Sequence, residues 1–478
     1  MKPRAPSAAS RKTVSAANLA ALGAERLAAL LMNLAEGKPD IKRRLKLELL
    51  GEIGGDSVVA EIEKRLATLE KTRSRIDSRK ARDFVRDLDA LRAAIAERVG
   101  ASDPKQALEL MWRFLGLQAT VVSRFYDDGA GILACYRRAC EDIGALAQRG
   151  EPDRRQLATR IHAAIIADTH GLSSALPGQL APALGQEGLA LLRGLFRRDL
   201  DKLAGRGTNA AWSSRRLLAT LRDIADIEGD IEAYKAAVPA DARLLFAPAV
   251  ARRLTAAGKA AQAVRYLEET RAAETRVHVS FNTDYMMVVG EPSYEEALTA
   301  ALDASGAADK AQALRWRAFD ERLAVQPLRD YLKRLPDFDD IEAEEKAFEV
   351  AAHHHVLSQA IAFFSQWPAP ARLAALVEER QGTLNGNDYE VLNVAAAVLS
   401  EHFPRAASLV LRAMILDTLV GSKSQRYRYA AQALKRCADL SAEVSDWGPF
   451  QSHPDFLADL RKNHGRKYGF WAEVDSAK

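Results

Sequence analysis

The sequence predicts an all-α protein: an irregular array of helical hairpins of the TPR-like, α-solenoid kind, arranged in two helical halves. Three observations carry this. Apolar residues recur at helical spacing through most of the 478 residues, glycine and proline interrupt them at hairpin intervals, and small residues crowd the faces where successive helices would cross. Helix is therefore expected in more than roughly 60 % of the chain, against a usual third.

Residues 1–16 are basic, rich in Ser, Ala and Pro and free of acids, so they are expected to be a disordered tail. A mitochondrial transit peptide has similar composition, but Ala and Arg are abundant along the whole chain, which argues against one. Residues 17–240 read as an N-terminal helical domain and 241–478 as a C-terminal helical-repeat domain with an aromatic and basic tail. From Asn18 to Leu69, Leu19, Leu22, Leu27, Leu30, Leu31 and Leu34 keep helical spacing up to Gly37-Lys38-Pro39. Lys71, Arg73, Arg75, Arg79, Lys80 and Arg82 then face a single acid, Asp77. A solvated helix face is the plain account of that cluster, and an anionic contact surface through Lys71, Arg75 and Arg79 is the functional one. Asp103-Pro104 opens a helix with Ala107, Leu110, Met111, Phe114 and Leu115 on one side and Trp112 off it.

At Asp127-Asp128, beside Gly129 and Gly131, two carboxylates have the makings of a cation site, but an Asp-capped turn before Ile132, Leu133, Tyr136 and Cys140 is the better account of them. Helices continue to residue 240 with breaks expected at Gly171, Pro177-Gly178, Pro182, Gly185 and Gly205-Arg206-Gly207. Leu254–Glu269 reads as a helix end, a glycine turn and a second helix lined with small residues. Val277–Gly290 departs from the pattern, with Val277, Val279 and Phe281 alternating, and any strand is expected there. Ser293-Tyr-Glu-Glu296 and Asp309-Lys-Ala-Gln312 have the type and spacing of capping boxes. Trp316, Phe319, Leu323, Leu328, Tyr331 and Leu332 follow.

The acids from Asp337 to Glu345 suit a helix start, where the dipole favours negative charge, and also suit a cation or a basic partner. His353-His354-His355 resembles a metal tract, but adjacent helical residues point about 100° apart and do not converge on one ion. Glu349 and His353 have the better spacing, yet no second His or Cys completes a set, and Cys437, His453 and His464 match no familiar zinc spacing. No stoichiometric zinc and no other cofactor is expected. Further on, Ala407, Leu411, Met414, Ile415 and Thr418 lie on one stripe of a helix opened by Pro404 and closed by Gly421. Ser422 or Ser424 can cap the next helix, which carries Tyr427, Ala430, Ala431, Leu434, Ala438 and Ser441 and ends by Trp447-Gly448-Pro449. The tail opens a short helix at Pro454 with Phe456, Leu457 and Leu460 inside and Arg461 and Lys462 near its end. Arg466 and Lys467 extend the charge, and Phe470 and Trp471 fold back as a plug.

A net charge of +4 from 68 basic and 64 acidic residues does not by itself announce nucleic acid. Cys135, Cys140 and Cys437 are sparse and odd in number, which suits buried thiols in a reducing compartment. No run approaches the apolar length of a membrane span, so a cytoplasmic protein with no membrane partner is expected.

Gln312-Ala-Leu-Arg-Trp316, Leu328–Asp340, Phe363-Phe-Ser-Gln-Trp-Pro368, Ala406–Ile415, Arg426-Tyr427 and His464-Gly-Arg-Lys-x-x-Phe-Trp471 resemble a family of uncharacterised, largely helical bacterial proteins, a domain of unknown function. The resemblance is dense from Tyr294 to Trp471 and looser from Ile41 to Leu200, and it implies a bacterial, cytoplasmic, all-helical protein without an assigned activity. The C-terminal module is similar to one that accompanies SWIM-type zinc fingers, whose Cys-x-Cys…Cys-x-His signature is absent here.

With no catalytic constellation in the sequence, the expected function is a non-catalytic scaffold or adaptor that binds a protein partner. The alternative is a nucleic-acid-associated protein using Lys71, Arg75 and Arg79 together with Arg461, Lys462, His464, Arg466 and Lys467. A third reading is a metal-dependent enzyme built on the acids at 127–128 or 337–345.

Overall fold

Two separate sets of buried apolar side chains, one beginning at Val58 and the other at Phe319, organise the helices of the computed structural model. The structure describes residues 14–38, 41–43, 45–46, 49, 55–125, 130–203, 207–273, 290–367 and 369–476. Two compact units divide the chain: Met1–Val250 with Ala273–Gly290, and Ala251–Ala272 with Glu291–Lys478. Among the described residues every regular element is helical, and the helical share is 80 %. The strand expected at Val277–Gly290, the acids Asp127 and Asp128 and nearly all of the basic N-terminal tail lie outside the described residues. Among those described, no helix is long and apolar enough to cross a membrane.

The first unit runs through α1 (Ala16–Ala20), α2 (Ala24–Ala35), α3 (Gly55–Lys71), α4 (Ser78–Ala93), α5 (Gly100–Ser102), α6 (Pro104–Gly116), α7 (Gln118–Val122), α8 (Ala130–Gly150), α9 (Arg154–Ala167), α10 (Leu176–Leu203), α11 (Gly207–Glu228) and α12 (Ile231–Ala236). A π-turn, Ala94–Val99, joins α4 to α5. Asp103 caps α6 as its sequence predicts, accepting from the Gln106 amide at 2.9 Å with Pro104 at the first helical position. Trp112 is not off the buried side: it is 8 % exposed, with the Arg160 guanidinium 5.1 Å from its ring, so α6 is enclosed around most of its girth. The expected breaks at Pro177-Gly178 and Pro182 do not occur. Pro177 falls in the first turn of α10, where its missing N–H costs nothing, and the helix departs from helical angles at Gly185, with φ 57°. Of α1 and α2, only Ala35 is buried, and Leu30, Leu31, Met32 and Leu34 stay largely exposed.

The boundary between units falls inside α13 (Arg243–Ala256). The second unit continues with α14 (Ala260–Ala272), α15 (Tyr294–Ala304), α16 (Ala308–Arg322), α17 (Val325–Leu332), α18 (Asp339–His353), α19 (Leu357–Gln366), α20 (Pro370–Glu379), α21 (Tyr389–Leu399), α22 (Pro404–Val420), α23 (Tyr427–Ser441), α24 (His453–His464) and α25 (Tyr468–Ser476). Many of these helices pack on the next helix and also on the next but one, α16 on α18, α19 on α21, α20 on α22 and α23 on α25, which is how hairpins stack into a repeat array. The capping box at Ser293 forms, with Ser293 and Glu296 each bonded to the other's backbone N–H. The one expected at Asp309 does not. Its helix starts at Ala308 instead, and Gln312 donates to the Tyr331 carbonyl at 3.1 Å.

Between Trp316 and Leu332 the chain breaks at Leu323, which adopts φ 49°. A left-handed leucine costs about 1–2 kcal/mol, and its side chain, 4 % exposed in the second core, offsets that by burial. The serine cap expected for α23 is absent too. A 3-10 turn, Ser424–Arg426, leads into that helix with no side-chain cap, and the helix ends at Ser441, before Trp447.

The last hairpin is closed by the tail. Phe456 and Leu460 are buried, and Phe470 is 0 % exposed, edge-on to Tyr427 at 6.1 Å. The sequence assigns the plug to both aromatics, but Trp471 is only half-buried. Its indole N–H donates to the His464 carbonyl at 3.0 Å, with the Arg461 guanidinium 4.9 Å from its ring. Phe470→Ala is therefore expected to cost about 3–5 kcal/mol, the range for emptying a buried aromatic site, and Trp471→Ala less. Urea unfolding of both variants checks the order, and a larger loss for Trp471→Ala would contradict this packing.

Candidate binding groove

Three consecutive helices frame a cavity of about 480 Å³ in the second unit. Its floor is α22, through Leu411, Met414 and Thr418, which fall on one side of the helix because they are spaced by three and four residues. One wall is Gly386, Tyr389 and Asn393; the other is Arg426, Tyr429 and Arg436 with the small residues Ala430 and Ala433. The floor residues are buried, whereas Tyr389 and Tyr429 are 43 % and 69 % exposed, so the groove is apolar at its base and aromatic at its rim.

The walls are braced across the opening. Arg426 lies 4.6 Å from the Tyr389 ring and donates to Asn387 Oδ1 at 3.2 Å, and Lys423 reaches the same oxygen at 2.9 Å. Arg436 donates to Ser400 Oγ at 3.1 Å. Each guanidinium has five N–H donors and uses few of them here, so both keep donors for a ligand. Asp417 is held by Lys423 at 2.7 Å. The lining residues include two arginines and no carboxylate. Gly386 matters for shape, since a Cβ there would stand 2.1 Å from the Ala413 carbonyl oxygen, and only glycine lets this loop rest on α22.

The residues singled out in the sequence occupy other places. Lys71 ends α3, Arg75 lies in the link to α4, and Arg79 starts α4 beneath the Asp77 cap; all three are exposed, on three segments and not on one helix face. In the second unit Arg461 is placed against Trp471, Lys467 bonds Ser422 Oγ, and Lys462 and Arg466 are exposed. His464 gives its backbone carbonyl to the Trp471 indole. Among the acids at 337–345, Glu344 accepts the Trp367 indole N–H at 2.8 Å and Glu345 pairs with Arg372. His353 Nδ1 lies 2.8 Å from the Glu349 carbonyl oxygen, while the neighbouring His354 is buried. Among the described residues no three His, Cys, Asp or Glu side chains are grouped to hold a metal ion. Burial pushes the thiols of Cys135, Cys140 and Cys437 up to about 12, leaving them protonated.

Sequence reasoning missed the groove because its two walls, Gly386 to Asn393 and Arg426 to Arg436, come from segments far apart in the chain, and no spacing links one wall to the other. Gly386 was the available signal: a glycine in the loop two residues before Asp388, the first residue flanking α21, fits a close approach of backbone to its neighbour. Gly386→Ala is expected to lower stability by about 1–3 kcal/mol through that overlap. An unchanged urea midpoint would show that the loop does not rest on α22.

Residues 9–473 match the family described as Family of unknown function (DUF6880), and the chain belongs to it. No curated protein matches. One solved structure to which the chain is similar is titled "Circular tandem repeat protein with novel repeat topology and enhanced subunit contact surfaces"; the two share 14 % identity over 93 % of this chain and 92 % of that one, with a TM-score of 0.14.

Proposed function

We propose that this member of a family of unknown function is a non-catalytic, cytoplasmic adaptor whose α21–α23 groove binds an extended acidic segment of a protein partner. The observation that carries the reading is the groove's lining: an apolar floor, two exposed tyrosines and two arginines with no carboxylate among them. Tyrosine and arginine are the residues that most often dominate binding energy, because each offers a large apolar or planar surface together with hydrogen-bond donors. A carboxylate approaching Arg426 or Arg436 gains charge-assisted bonds, and an apolar neighbour in the same peptide reaches Met414 and Leu411 beneath. The three protonated, buried thiols agree with a reducing compartment.

The test is an array of 12-residue peptides graded in acidic and apolar content, probed with the full chain and with Arg426→Ala/Arg436→Ala. The expected result is retention of peptides that combine Asp or Glu with Leu, Phe or Tyr, weakened at least tenfold in the double variant. Equal retention by both proteins contradicts the reading. So does single-stranded DNA or RNA binding that depends on the two arginines and falls steeply with salt, which is the signature of phosphate contacts.

A further inference from the structure

Arg412 lies on α22, one residue beyond the groove floor at Leu411 and so turned about 100° away from it. Its side chain is 5 % exposed. Burying a guanidinium, which stays charged at any ordinary pH, is costly unless an anion or a full set of acceptors meets it. Nη1 has one, the Gln451 carbonyl at 2.7 Å. The rings of Trp447 and Phe456 stand 4.3 and 4.7 Å from the guanidinium carbon and compensate part of the cost. Nε and Nη2, both fully enclosed, meet no acceptor.

Those two nitrogens form one edge of the guanidinium, the edge whose parallel N–H bonds match a planar pair of oxygens. In three other arginines of this chain the same edge is filled. Arg113 gives Nε and Nη2 to the two oxygens of Glu70, Arg252 to those of Glu291 and Arg405 to those of Glu378. Those three arginines are 37 %, 51 % and 33 % exposed, so of the four compared the most buried is the one that lacks the carboxylate. Two more enclosed polar atoms belong to the same neighbourhood. Ser408 Oγ, one turn before Arg412 on the same face, and Nδ1 of His453, whose imidazole burial and then the charge of Arg412 hold below its usual range, have no partner either.

We infer that the Nε–Nη2 edge of Arg412, with Ser408 and His453 beside it, is a binding site for a single oxyanion, a carboxylate or a phosphate, enclosed by the α23–α24 loop that carries Trp447. The groove reading and this one are independent: the two sites use different sides of α22 and different residues.

The test titrates the full chain with sodium formate and, separately, inorganic phosphate at constant ionic strength, reading the melting temperature. A saturable rise with either is expected; formate alone identifies a carboxylate source and phosphate alone a phosphate source. Half-saturation should move at least tenfold higher in Arg412→Lys, which keeps the charge but loses the paired donors, and stay unchanged in Arg405→Lys, whose edge faces Glu378. Should Arg412→Lys fail to fold, wild-type crystals grown with selenate give the direct answer, an anomalous peak within hydrogen-bond distance of both nitrogens. Melting responses that are linear and equal in wild type and Arg412→Lys overturn the inference, as does density for a structural water alone on that edge.

Discussion

The burial of α22 on nearly every side is the constraint on which the second unit depends. Side chains from Ala406 to Arg412 are buried without a gap, and Met414, Ile415, Thr418 and Leu419 continue the run. A helix of this kind has no solvated face to orient it and is held by packing from all directions. The packing comes from α20, α21 and α23, while Gln451 and Phe456, from the segment that follows α23, close over Arg412. Phe470, from the last helix, then seals α23 by stacking edge-on against Tyr427.

Enclosure also explains how one helix serves two chemistries. Positions 411, 414 and 418 supply the apolar floor of the groove, and positions 408 and 412, rotated around the axis, supply unpartnered polar groups to a separate enclosed site. Neither arrangement requires a side chain to leave its helix. The braces that span the groove, Arg426 to Tyr389 and Arg436 to Ser400, tie α23 to α21 and so set the width of the opening.

Local chemistry made much of the fold legible in the sequence. Pro104, Pro404 and the Ser293–Glu296 pair begin helices where their backbone properties demand it, and Gly258 turns the chain between α13 and α14. What failed depended on tertiary packing. Trp112 and Arg412 lie off the stripes their helices display, and segments distant in sequence bury them. Leu323 separates α16 from α17 with a left-handed backbone whose cost its buried side chain offsets. The groove was illegible for a related reason, since its walls are brought together by the floor helix and not by spacing along the chain. Of the basic residues picked out in the tail, Arg461 lies against the Trp471 ring and Lys467 bonds Ser422.

Hydrogen exchange of the full chain, followed peptide by peptide, tests most directly whether α22 is the element around which the second unit is built. Amides from Ala406 to Leu419 should exchange most slowly in that unit, opening only with its global unfolding, while those of α25 and of the exposed start of α18 exchange earlier. Exchange of the Ala406–Leu419 peptides as fast as that of α25 would contradict the account.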